Sequence, residues 1–152
     1  MGQLLRQLDD AKFAEHTVIF FTSDNAAPRD GLCDPAFFAS NGPFRGVKGD
    51  LTEGGLRVPL LVRWPKHILA GATNETPVAL WDCFATALEL AGVTNAPAAD
   101  SVSFAPALLG RAAKPAREFL YWETHEPKFQ QALRAGEWKA IRAGLDANRL
   151  PL

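Results

Sequence analysis

The sequence predicts an α/β fold that ends in a small antiparallel sheet, and three stretches carry that prediction. Leu4, Leu5, Leu8 and Ala11 recur near helical spacing. They lead into Thr17-Val18-Ile19-Phe20-Phe21-Thr22, a compact run of β-branched and aromatic residues without polar alternation. A helix followed at once by such a strand points to α/β, because strands covered on both faces lose their polar positions. Near the end, residues 118–123 and 131–142 have strand character, and Ala135-Gly136 interrupts the second as a hairpin turn would.

The elements follow in order. Residues 1–16 set Arg6, Asp9, Asp10, Lys12 and Glu15 among the leucines, an amphipathic helix pattern rather than the apolar centre of a secretion signal. A targeting segment is therefore expected upstream of Met1 or not at all, and no compartment is assigned. The first strand stops at Ser23-Asp24-Asn25. Residues 26–57 hold seven glycines and prolines before Gly54-Gly55 and show no sustained periodicity, so a long loop is expected. A loop of that length in a compact domain is usually functional or disordered, and this one carries Arg45, Lys48, Glu53 and Arg57. A second apolar strand is expected over 59–63, closed by Trp64-Pro65. Residues 76–91 predict a helix burying Val78, Leu80, Trp81, Phe84, Leu88 and Leu90, with Gly92 at its C-terminal cap. Residues 93–117 form an Ala-, Pro- and Ser-rich connector with one apolar knot at 104–109.

Composition removes several function classes. The 152-residue chain is 47% hydrophobic, enough for one ordinary domain. Its 16 basic and 17 acidic side chains leave a net charge of -1, so no field draws nucleic acid. Near the start the longest apolar stretch is six residues, whereas a bilayer span needs about 20; no membrane span is expected. Cys33 and Cys83 form neither a C-x-x-C pair nor a disulfide framework. His16, His67 and His125 lack partners at metal or triad spacing, and no G-x-S-x-G, P-loop or dinucleotide fingerprint occurs.

Chemistry can be placed at two points. Ligands gather beyond the carboxyl ends of strands in open α/β sheets, and Asp24 and Asn25 lie there with one carboxylate and one amide oxygen. Both suit a hard cation such as calcium or magnesium, and both also make Asx turns leaving strands. Lys48 stands in Arg45-Gly46-Val47-Lys48-Gly49, where glycines allow close backbone approach to a ligand and a lone ammonium can hold an oxyanion. A solvated loop lysine is the competing reading. Arg45 and Arg57 have the same solvated reading, or pair with Glu53 or Asp50.

A resemblance raises the first readings. The runs Val18-Ile19-Phe20-Phe21-Thr22-Ser23-Asp24-Asn25, Ser40-Asn41-Gly42-Pro43-Phe44-Arg45-Gly46-Val47-Lys48-Gly49 and Glu53-Gly54-Gly55-Leu56-Arg57-Val58-Pro59 resemble, in order and spacing, the second half of type I sulfatases. Trp64-Pro65, Asp82, Leu88-Glu89-Leu90-Ala91-Gly92, Leu108-Leu109-Gly110, Tyr121-Trp122-Glu123 and Trp138-Lys139-Ala140 extend the likeness to the end. It implies part of an alkaline-phosphatase-like mixed sheet core over residues 1–92, a connector over 93–117, and a small antiparallel subdomain with a helix over 118–152. It also implies that Asp24 and Asn25 are calcium ligands of an incomplete site and that Lys48 contacts sulfate. The substrate implied is a sulfated small molecule or glycan. Related di-zinc hydrolases carry histidine after the aspartate, so Asn25 favours a hard cation and a sulfatase over a phosphatase.

Departures from the family pattern set the limits. Sulfatases use a formylglycine made within C-x-P-x-R or S-x-P-x-R near the N-terminus, and this chain has no such motif. Cys33-Asp34-Pro35-Ala36-Phe37 imitates it, but Phe37 stands where the arginine belongs and the segment follows Asp24-Asn25 instead of preceding it. Ala26 replaces the usual glycine after the Asp-Asn pair. The chain is thus expected to be the C-terminal piece of a sulfatase, with formylglycine confined to the missing N-terminal part of the same fold. Its rivals are a degenerate, non-catalytic sulfatase-like module binding sulfated ligands or a partner chain, and a phosphoryl or phosphonate hydrolase of the same superfamily.

Overall fold

A computed structural model describes residues 1–29, 34–93, 100–111, 117–125 and 128–145. The chain divides into two compact units, Met1–Phe21 with Leu61–Arg117, and Thr22–Leu60 with Glu118–Leu152.

In the first unit, helix α1 (Gly2–Asp10) is the amphipathic segment anticipated from its leucines. It ends at Lys12, whose φ of 60° is left-handed, and the Phe13 N–H returns to the Leu8 carbonyl at 2.9 Å. That closure is the usual Schellman stop, here with lysine in the glycine position. A 3-10 turn at Ala14–His16 leads into strand β1 (Ile19–Thr22), which pairs with β2 (Leu60–Arg63). Arg63 reaches Asp9 at 2.9 Å, and the Trp64 indole donates to the Glu15 carbonyl at 2.7 Å. The segment after β2 is thereby tied to the helical start of the chain.

Helix α3 (Asp82–Leu90) corrects two expectations. It begins six residues later than the periodicity of 76–91 suggests, and Leu80, Trp81 and Phe84 are exposed rather than buried. The physical reason is its inward face, Asp82, Ala85 and Thr86. The Asp82 carboxylate accepts from the Ala79 and Val102 amides, and Thr86 Oγ1 accepts from the Phe104 amide at 3.0 Å. Satisfying those backbone donors selects this face over the apolar one. Gly92 caps the helix as expected, with φ +73° and the Val93 amide on the Leu88 carbonyl. The apolar knot forms helix α4 (Ala105–Leu108), where buried Phe104 meets Phe20 edge-on.

In the second unit, β3 (Leu120–Thr124), β4 (Phe129–Ala135) and β5 (Trp138–Leu145) make the antiparallel sheet, in order β3-β4-β5. Tyr121 faces Leu133, Ala132 faces Ile141, and Ala135 faces Trp138. Gly136, with φ +56°, makes the two-residue turn between β4 and β5. Leu120, Phe129 and Ala132 form its buried side. The long loop also contains one short helix, α2 (Glu53–Leu56), which periodicity does not reveal. No helix among the described residues is long and apolar enough to cross a membrane.

Candidate functional site

β1 ends at Thr22, and the chain folds back at once. The Ser23 hydroxyl donates to the Asn25 carbonyl at 2.8 Å, and the Asn25 amide donates to Asp24 Oδ2. Asp24 and Asn25 stay exposed while Ala26 is buried beneath them. The backbone N–H of Lys48 donates to the Ala27 carbonyl at 3.0 Å, which joins the lysine loop to the strand end. Asp24, Asn25, Ser40, Asn41, Lys48 and Arg57 line one open cleft of about 420 Å³.

The loop carrying Lys48 is held from four sides. Besides Ala27, the Asn41 amide donates to the Gly46 carbonyl at 2.7 Å, the Asp50 carboxylate accepts from the Val47 amide at 2.9 Å, and the Gly54 amide donates to the Arg45 carbonyl at 2.8 Å. Gly46 and Gly49 bracket the lysine with φ of +102° and +93°, which L side chains adopt only under strain. These bonds fix the backbone at Lys48, and its exposed side chain lines the cleft.

Beside the cleft, Glu53 gathers three cations: Arg57 Nε at 2.6 Å, Lys139 Nζ at 2.8 Å and Arg134 Nη1 at 3.4 Å. The C-terminal sheet is thus attached to α2 through one carboxylate. Burial pushes the Glu53 pKa up, but hydrogen bonds from Lys139 and Arg57, with the charges of Lys139 and Arg134, outweigh it and hold the carboxyl below its ordinary value. A depressed folded-state pKa gives stability that is complete above the unfolded value, about 4.3, and is lost as pH falls through the folded one. Glu53→Gln is therefore expected to cost roughly 1 kcal/mol at pH 7, a modest figure because Arg57 is half exposed. The gap from wild type should narrow as pH falls below the unfolded carboxylate value and on through the lower folded one. Thermal melts of both proteins from pH 7 to 3 check this, and a gap that widened on acidification would contradict it.

Two family models match the chain. One described as Sulfatase covers residues 1–93, and one described as N-sulphoglucosamine sulphohydrolase, C-terminal, covers residues 48–145. The chain belongs to the sulfatase family. Steryl-sulfatase of Mus musculus is 36% identical over 149 residues, covering 93% of this chain and 24% of the relative. Human N-acetylgalactosamine-6-sulfatase is 40% identical over 111 residues, covering 72% of this chain and 21% of the relative. The crystal structure of PsFucS1 sulfatase from Pseudoalteromonas sp. matches with a TM-score of 0.73 at 32% identity, over 91% of this chain and 27% of that one. This sulfatase chain thus spans about a quarter of the length of the relatives it matches. Its α/β elements and antiparallel sheet are those of an alkaline-phosphatase-like sulfatase fold.

All three residues singled out from the sulfatase sequence, Asp24, Asn25 and Lys48, fall in the one cleft. Cys33 lies outside the described residues. Burial, and then the Asp82 charge, raise the Cys83 pKa, which disfavours its thiolate. Of the histidines, His67 stacks on Trp64 with ring centroids 3.9 Å apart, and His125 lies 3.4 Å from Glu123. Sequence reasoning anticipated a pairing of Arg57 with Glu53 but not Lys139 or Arg134, which lie 86 and 81 residues from that glutamate. No local pattern signals contacts of that span.

Proposed function

We propose that this chain supplies the charge-stabilising side of a sulfatase active site, with the nucleophile contributed by sequence outside it. Sulfate-ester hydrolysis is the chemistry of the family; its assignment here is carried by the shared cleft of Asp24, Asn25 and Lys48. Lys48 holds a sulfate oxygen of the ester as a point charge, carried on a backbone that its loop bonds fix. Charge fixed in advance where charge develops lowers the barrier without reorganisation at the moment of reaction.

The donor set fits calcium in part. Asp24 Oδ1 and Asn25 Oδ1 accept no hydrogen bond among the described residues, and both are hard oxygens. No group of three or more His, Cys, Asp or Glu side chains is assembled for a metal among those residues. Asp24 and Asn25 would therefore hold the ion as two of the six to eight ligands calcium takes. When bound, such an ion neutralises charge on the sulfate oxygens. In the same reading residues 1–92 contribute to the core, 93–117 connect, and 118–152 form the C-terminal subdomain. The substrate class is a sulfated small molecule or glycan.

The test measures release of 4-nitrophenol from its sulfate ester. Three proteins are compared: the 152-residue chain, a longer polypeptide that joins it to a nucleophile-bearing sulfatase segment, and that polypeptide with Lys48→Ala. The short chain is expected to be inactive, because groups that act as a unit lose nearly everything with the nucleophile. Lys48→Ala should lower kcat by about 100-fold, as loss of one preorganised oxyanion donor does. Full activity in that variant removes Lys48 from the site. Enzyme-level turnover by the short chain places a nucleophile within it.

A further inference from the structure

We propose that Arg57 is a second oxyanion ligand of the cleft, gripping the substrate's sulfate with a two-pronged guanidinium beside Lys48. This inference rests on the reading of the cleft as a sulfate site. Arg57 lines that cleft together with Asp24, Asn25 and Lys48. Its guanidinium is fixed in two directions, by the 2.6 Å bond from Nε to Glu53 and by Phe44, whose ring centroid lies 4.4 Å from Cζ. Both contacts leave the far edge of the fork open. Among the described residues, no acceptor takes a hydrogen bond from Nη1 or Nη2.

A purely structural arginine in the same chain behaves differently. Arg117 commits Nη2 to the Asp82 carboxylate and to the Asp100 carbonyl, so its terminal nitrogen is consumed inside the protein. Arg57 is held by its inner nitrogen and presents its outer ones. Nor is its charge cancelled, because the single carboxylate of Glu53 is shared with Lys139 and Arg134. The cleft therefore carries two cations, Lys48 and Arg57, against one carboxylate, Asp24, and can attract an anion with no metal bound. Sulfate offers several acceptor oxygens. A lysine meets one as a point charge, whereas a guanidinium edge meets two with paired, parallel bonds.

Inorganic sulfate is the probe, titrated into the isotope-labelled 152-residue chain in calcium-free buffer of low ionic strength. Amide shifts of Asn25, Val47, Lys48 and Gly49 report the site, and the Arg57 side-chain N–H resonances report the fork itself. Sulfate is expected to move both sets. Arg57→Ala should weaken binding by about tenfold, the size of one charge-assisted contact, and Arg57→Lys should fail to restore it because the fork is gone. Should Arg57→Ala lose its amide dispersion, Arg57→Lys decides alone: weakened binding supports the proposal, and wild-type binding overturns it. If Lys48→Ala weakens binding while both Arg57 variants bind as wild type, Arg57 is no ligand and the sulfate-site reading survives. If neither Lys48→Ala nor Arg57→Ala changes the affinity, the reading of the cleft falls and the proposal with it.

Discussion

Gly55→Ala is expected to lower the melting temperature by about 6–12 °C, equivalent to a loss of roughly 3 kcal/mol for a chain of this size. A Cβ built on Gly55 would lie 2.1 Å from the Asp50 carbonyl oxygen and 2.6 Å from that of Val47. Both obstacles are backbone, so no side chain can swing away to relieve the clash. At Gly54 the same addition meets the carbonyls of Gly46, Arg45 and Phe44 at 2.6 to 2.7 Å. Helix α2 therefore rests directly on residues 44–50, the loop that presents Lys48, and the Gly54 amide bonds into it. Inserting a methyl group must push the lysine loop away or unwind α2. Gly2→Ala is the control, since nothing lies within 4 Å of its added carbon. Thermal unfolding followed by circular dichroism decides: a Gly55→Ala melt within about 2 °C of wild type would show that α2 and the loop are not in backbone contact.

These two glycines show what a single sequence does and does not yield. Neither has a positive φ, so turn chemistry does not require them; only close approach of two backbones does. Periodicity cannot express that requirement, and the Glu-Gly-Gly run is recognisable in the sequence only through its likeness to sulfatases. Features set by neighbours in sequence were legible: the β-branched run of β1, the Gly92 cap and the hairpin at Gly136. The onset and inward face of α3 were not, because they depend on partners 16 to 20 residues away: the Ser101 hydroxyl, which accepts from the Ala85 amide, and the amides of Val102 and Phe104. The same holds for the site. Asp24 and Asn25 announce themselves at a strand end and Lys48 between glycines, whereas the free edge of Arg57 follows from Glu53 and Phe44 meeting it in space.

Asp82→Ala should cost about 3–5 kcal/mol, the penalty of breaking a buried charge pair by removing one partner. Asp82 is 3% exposed. Its Oδ2 accepts from the Ala79 amide at 2.8 Å, and its Oδ1 accepts from the Val102 amide at 2.9 Å and from Arg117. One carboxylate thus starts α3, fixes the segment after residue 100 and holds Arg117 over the Trp81 ring. Alanine leaves two amides without their acceptor and a guanidinium without its counter-charge, and each unsatisfied buried donor adds about 1–3 kcal/mol. Asp82→Asn keeps the shape and one acceptor oxygen but turns an NH₂ toward a donor, so a smaller loss, about 2 kcal/mol, is expected. Arg117→Met in the Asp82→Ala background should recover part of the loss, because the orphaned charge is then gone. Urea unfolding of wild type, Asp82→Ala, Asp82→Asn, Arg117→Met and the double variant measures these differences. Additive losses in the double variant would show that the pair is not coupled. A loss below about 1 kcal/mol for Asp82→Ala would assign the stability of α3 to its apolar contacts instead.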